Sequence, residues 1–124
     1  YTWGEERISG AKDVPLSKIP PLFGQGTLRW ESPRAGEWRG HVETYVRGAA
    51  KQSRLSPNDK SDVRIPKGGT PGWWTLNVRG GFVAADAVHV GVALENLLNK
   101  KYKYHASGIY AAGTNAIFSL EIKH

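Results

Sequence analysis

Residue types able to do chemistry are present in this chain, but not at the spacings that chemistry needs. Four histidines, His41, His89, His105 and His124, stand far apart. None belongs to an HExxH pattern or another zinc spacing. No Gly-x-Ser-x-Gly elbow or phosphate-binding loop occurs. The glycine-rich piece Lys67-Gly68-Gly69-Thr70 is not followed by a helical pattern, so no helix N-terminus can complete a phosphate cradle. Asn58, Asp59 and Asp62 offer oxygen ligands, too few and too loosely spaced for calcium. Cysteine is absent, which removes thiolate zinc sites and disulfides together. No metal site, no cofactor and no enzyme activity are expected.

Binding chemistry remains. Arg29, Glu31, Glu43, Arg47, Arg79, Glu95, Glu121 and Lys123 all take the polar side of stretches that alternate in kind. The clearest stretch is Val88-His89-Val90-Gly91-Val92-Ala93-Leu94-Glu95. In a β-strand its valines and Leu94 point one way, and His89, Gly91, Ala93 and Glu95 the other. One surface is continuous and oily; its reverse is small, polar or charged. That pattern suits a wall with hydrocarbon on one side and water on the other. The charges either pair across strands or meet a ligand.

The chain has 124 residues, enough for one modest domain. Hydrophobic residues make up 40% and charged residues 23%, which excludes a disordered chain. No apolar run approaches the ~20 residues of a spanning helix. The formal net charge of +6 fits an anionic partner, such as nucleic acid or a lipid headgroup, or a solvated basic surface. The chain opens on Tyr1 rather than methionine, which reads as a piece processed or excised from something longer.

The elements that would position these groups are strands. Alternation predicts them over 1–8, 22–31, 38–52, 73–83, 87–97 and 115–124, with no sustained helical period anywhere. Every proline falls between strands or at a strand's first residue, as a residue with no amide proton must. The connections alternate in length. Segments 9–21, 53–72 and 98–114 are long; those around Pro33-Arg34-Ala35-Gly36 and Ala84-Ala85-Asp86 are short. Outer-membrane barrels show this asymmetry, with short turns on one side and long loops on the other. Aromatics sit at both ends: Trp30, Trp38 and Phe82 beside the short turns, Trp73 and Trp74 at the long-loop end.

Val92-Ala93-Leu94-Glu95-Asn96-Leu97-Leu98-Asn99-Lys100-Lys101-Tyr102 resembles the penultimate strand and following loop of TonB-dependent outer-membrane receptors. Gly113-Thr114-Asn115 stands where that family has a Gly-Arg step before its last strand. Ile19-Pro20-Pro21-Leu22 followed by Leu28-Arg29-Trp30 resembles an earlier strand entry. Asp62-Val63-Arg64-Ile65-Pro66 and Thr70-Pro71-Gly72-Trp73 resemble the loop before the antepenultimate strand. Thr114 replaces the usual arginine, and His124 the usual C-terminal aromatic.

The resemblance implies an all-β, antiparallel up-and-down meander of about six strands, part of a transmembrane barrel of about 22. The plug, the TonB box and the earlier strands would precede Tyr1. The implied function is TonB-energised uptake of a scarce nutrient, of the ferric siderophore, haem or cobalamin type, across the bacterial outer membrane. Partners would be outer-membrane lipid and lipopolysaccharide, the rest of the barrel and its plug, TonB through the missing N-terminal part, and a small nutrient ligand. Nucleic acid would not be one. Charges facing lipid would cost about 2–4 kcal/mol for Arg or Lys near the midplane, so the polar side must face inward. Ligand contacts would then fall to Arg47, Arg79 and Glu95 on the inward face. In the outer loops they would fall to Arg54, Asp59, Tyr102, Tyr104, His105 and Tyr110. A different class of protein, a small soluble basic β-sandwich or barrel that binds nucleic acid or carbohydrate through exposed tryptophan, shares the charge and the strands.

Overall fold

In the computed structural model, residues 2–7 and 13–123 are described. The chain is all-β, with antiparallel strands in two sheets. A five-stranded meander in the order β3-β4-β5-β6-β7 contains β3 (Phe23–Glu31), β4 (Trp38–Ala49), β5 (Trp73–Ala84), β6 (Val88–Glu95) and β7 (Asn115–Ile122). Neighbours in sequence are neighbours in the sheet. A two-stranded ribbon pairs β1 (Glu5–Glu6) with β2 (Val14–Pro15). Among the described residues no helix is long and apolar enough to cross a membrane.

The strand expected over 1–8 needs correction: it does not join the meander. Only Glu5 and Glu6 pair, with Pro15 and Val14 on the chain just ahead. A two-residue match carries too little alternation to fix a place in a larger sheet. Tyr1 and Ile8 of that expected strand lie outside the described residues, as does His124 at the end of the last one. A short helix, α1 (Pro57–Ser61), also interrupts the loop where no helix was expected.

The chain divides into two compact units. One gathers the long connections: Tyr1–Gly24, Gly48–Trp74 and Lys101–Ala111. The other holds the sheet and its short turns: Gln25–Arg47, Thr75–Lys100 and Ala112–His124.

In the sheet unit the register sets side chains in transverse rows. Phe82, Val90 and Leu120 form one row; Val78, Leu94 and Ala116 form another on the same face. The reverse face carries Arg79, Ala93 and Ile117, and beside them Gly81, Gly91 and Ser119. Both short turns contain left-handed residues: Gly36 in the first, Ala85 (φ 50) and Asp86 (φ 52) in the second. Arg34 from the first turn and Arg39 at the start of β4 both reach Asp86 in the second turn, at 2.7 and 3.2 Å. The Ala85 amide donates to the Glu37 carbonyl.

The burial of this sheet is inverted relative to a water-soluble one. On the apolar face Leu28 is 78% exposed, Phe118 76% and Leu120 66%. On the polar face Glu43, Tyr45, Thr75 and Asn77 are 6% exposed or less. Antiparallel sheets in soluble domains bury the apolar side. The inversion belongs to the middle of the sheet: on β4 and β5 the polar residues are the covered ones, with Arg29 and Arg79 closing on Glu43, while β3 and β7 are exposed on both sides.

The polar face also explains one glycine. A Cβ at Gly81 would stand 2.5 Å from the Val90 carbonyl oxygen, a backbone atom that cannot swing aside. Gly24 has open space. Gly81→Ala should lower stability by about 2 kcal/mol through overpacking, and Gly24→Ala should leave it within about 0.5 kcal/mol. Paired denaturant midpoints check this; equal midpoints would contradict the register.

Candidate functional site

The polar face of the sheet centres on Glu43. Its carboxylate is held by Arg79 at 2.5 Å and Arg29 at 3.4 Å, and Arg29 also reaches Glu31 at 2.7 Å. A carboxylate this buried needs such partners, because an unpaired charge out of water is strongly destabilising. The Tyr45 hydroxyl donates to Glu95 at 3.0 Å, and the Arg79 guanidinium lies 5.4 Å over the Tyr45 ring. Of the residues nominated from sequence, Arg79 and Glu95 are thus joined through Tyr45. Arg47 stands two positions beyond Tyr45 on the same strand face. The arrangement is a cross-strand ion network that satisfies a polar surface. Beside it the Gly81–Gly91–Ser119 row leaves a shallow basin rimmed by Arg29, His41 and His89.

Asparagines close the sheet at its far end. The buried Asn77 donates to the Tyr45 carbonyl at 3.2 Å, and its oxygen accepts the Asn96 amide at 2.9 Å. Asn96 adopts φ 51, a left-handed conformation that asparagine tolerates. Its side-chain amide donates to the carbonyls of Lys100 (2.9 Å) and Ala112 (3.0 Å), while its oxygen accepts the Lys100 amide (2.8 Å). The Thr114 hydroxyl donates to the Asn96 carbonyl at 2.8 Å. The Asn-Leu-Leu-Asn motif is therefore a hub that ends β6 and secures the return into β7. Thr114, the residue that departs from the family pattern, belongs to that hub.

The loop unit holds Arg54, Asp59, Tyr102, Tyr104, His105 and Tyr110. Tyr102 is buried and stacks on Trp73 with ring centroids 4.0 Å apart; Tyr104 meets Trp73 edge-on at 5.2 Å. This corrects the expectation that Trp73 joins Trp74 in an interfacial girdle. The two are adjacent, so period 2 sends them to opposite faces: Trp74 is exposed and Trp73 is core. Arg54 lies 3.4 Å over the Trp3 ring and pairs with Glu5. Tyr110 is exposed, with the Lys101 ammonium 4.5 Å from its ring centre. The unit is also pinned at Gly69 (φ 101), where a Cβ would stand 1.9 Å from the Gln52 carbonyl oxygen.

Asp59 is buried and turned inward. It accepts the Ser56 amide at 3.1 Å and the Lys18 amide at 3.0 Å, while Ser56 Oγ accepts the Asp59 amide at 3.1 Å. Ser56 and Asp59 form a capping box on α1, with Pro57 opening the helix. Burial alone would raise the Asp59 carboxyl, but the donated Lys18 and Ser56 hydrogens outweigh it and hold the group below its ordinary value. His105 shares a 2.9 Å hydrogen bond with Thr70 Oγ1. Burial pushes its imidazole down from the ordinary value, against the pull of Asp59 and Asp62. The Arg64 side chain and amide donate to Asp62 and hold that carboxyl well below the carboxylate range. Among the described residues no group of His, Asp and Glu could hold a metal ion.

Both titrations act in one direction. A carboxyl lowered in the fold contributes stability that is present above its unfolded value and lost as pH falls through the folded one. A histidine lowered in the fold likewise favours the folded state only while neutral. The loop unit should loosen in acid, His105 acting below about pH 6.5 and Asp59 below about pH 4. The near-ultraviolet circular dichroism of the Trp73–Tyr102 stack reports this. A signal unchanged between pH 7 and pH 3 would contradict it.

No family model matches the chain, and no curated protein or solved structure matches it either.

Proposed function

We propose that this chain is a stretch of outer-membrane receptor wall of the TonB-dependent kind, serving energised uptake of a scarce nutrient. The inverted middle of the sheet carries the reading: on β4 and β5 the apolar side chains Val42, Val46, Trp74 and Phe82 are exposed while Glu43, Tyr45, Thr75 and Asn77 on the other side are buried. In a bilayer the bare rows meet hydrocarbon, and the exposed Trp30, Trp38 and Trp74 suit its interfaces. The polar face then looks into a wet lumen and onto a plug supplied by the rest of the receptor. Long connections that pack together as one compact unit fit an outer side that meets lipopolysaccharide and the ligand. TonB would act through segments outside this chain. The Asn96 hub gives a physical role to the motif on which the family resemblance rests.

Detergent dependence tests the reading. The purified chain should aggregate in aqueous buffer and become monodisperse in a maltoside detergent. Brominated lipid should quench a variant retaining only Trp74 and spare one retaining only Trp73. A monomeric, β-rich chain in plain buffer, with neither tryptophan quenched, would overturn it in favour of a soluble basic sandwich.

A further inference from the structure

The segment 97–114 carries Lys100, Lys101, Lys103, Tyr102, Tyr104 and Tyr110 and contains no acidic residue. Its part Lys101–Ala111 belongs to the loop unit and is internally braced. The Ala111 amide donates to the Tyr102 carbonyl at 2.9 Å, and the Ser107 amide to the Tyr104 carbonyl at 3.1 Å. Tyr110 is more than half exposed, and the ammonium groups of Lys101 and Lys103 lie 4.5 and 5.8 Å from its ring centre. Lys103 also donates to the Arg64 carbonyl at 2.5 Å, which fixes its position. Among the described residues neither lysine pairs with a carboxylate. Asp62, the nearby acid, is taken by Arg64. Two cations are thus gathered on one aromatic ring with nothing to neutralise them.

We infer that Lys101, Lys103 and Tyr110 form a binding site for a phosphate ester carried on a sugar ring. Lysine ammoniums are compact donors suited to a phosphate dianion, and charge-assisted bonds to it are the strong ones. The exposed Tyr110 ring offers an apolar plate to the C–H face of a sugar, as aromatic rings do where one side of a ligand is apolar and the other wet. Bracing the loop before binding lowers the ordering cost of capture. The same chemistry comes free in solution or on a membrane glycolipid. Only the preference for the glycolipid rests on the receptor-wall reading; the site itself does not.

Calorimetric titration of the full chain in detergent tests the site, with glucose, inorganic phosphate and glucose 1-phosphate as probes. Glucose 1-phosphate should bind tightest and glucose should not register. Lys101→Gln with Lys103→Gln should weaken glucose 1-phosphate by roughly tenfold or more. Tyr110→Ala should weaken it several-fold while leaving inorganic phosphate unchanged. Unchanged binding by the double lysine variant would overturn the site, and equal affinity for the two phosphates would overturn its sugar half. Phosphatidylcholine vesicles with and without a phosphorylated glycolipid separate the sources. Capture by the doped vesicles upholds the membrane source, and capture of the free sugar phosphate alone overturns it. A chain that binds glucose 1-phosphate yet stays monomeric in buffer keeps the site and drops the wall.

Discussion

Replacing Asn96 with alanine should cost the sheet about 3 kcal/mol, counting about 0.5–1 kcal/mol for each of three part-buried hydrogen bonds and about 1 for a left-handed alanine. The carbonyls of Lys100 and Ala112 lose their donor, and the Lys100 amide loses its acceptor. Asn96→Gly separates the contributions, because glycine accepts φ 51 and forfeits only the hydrogen bonds. Asn96→Asp keeps the acceptor for Lys100 and loses both donations. Urea midpoints in detergent should therefore rank wild type above Asp, and Gly above Ala. An alanine variant with the wild-type midpoint would show that the hub is dispensable and that the motif has some other basis.

If the chain is receptor wall as proposed, Val90→Arg should prevent membrane assembly of the complete receptor. Val90 lies on the bare face, in the row with Phe82 and Leu120. A lipid-facing arginine costs about 2–4 kcal/mol near the midplane, and here it falls on a strand that pairs on both edges, with β5 and β7. Ala93→Arg, on the reverse face, should assemble, since that row already holds Arg79. Protease protection of the two variants in outer-membrane fractions is the measurement. Comparable yields would reverse the assignment of faces. Gly91 is a weaker control than its small size suggests: a Cβ there meets Ser119 Oγ at 2.5 Å, so even serine requires Ser119 to change rotamer.

The meander was legible because its strands are long and alternate without a break. Val88–Glu95 and Asn115–Ile122 carry enough period-2 signal to fix which side chains share a face, whereas their register is seen only in the structure. The first strand was not, since Glu5–Glu6 makes only a local pairing that no periodicity announces. The capping box was readable in principle: Ser56-Pro57-Asn58-Asp59 has the cap, the proline and the acid three residues on. Read as an exposed oxygen ligand, Asp59 was assigned the wrong environment. The polar network was half legible. Arg79 and Glu95 could be placed on one face, but Glu43 as its buried centre depends on which side chains fold over it, a tertiary outcome. The Trp73–Tyr102 stack joins residues far apart in the chain, and nothing local marks it.

The Arg34–Asp86–Arg39 clasp bears on how the sheet breathes. It fastens the two hairpin tips to each other, as a rivet fastens the ribs of a fan. That rivet is exposed charge, which salt screens, whereas the far end is held by the buried amides of Asn77 and Asn96. Amide protons beside Glu37 and Ala85 should therefore exchange slowly for turn positions at low ionic strength and faster as salt is added, while those at the asparagine end keep their pace.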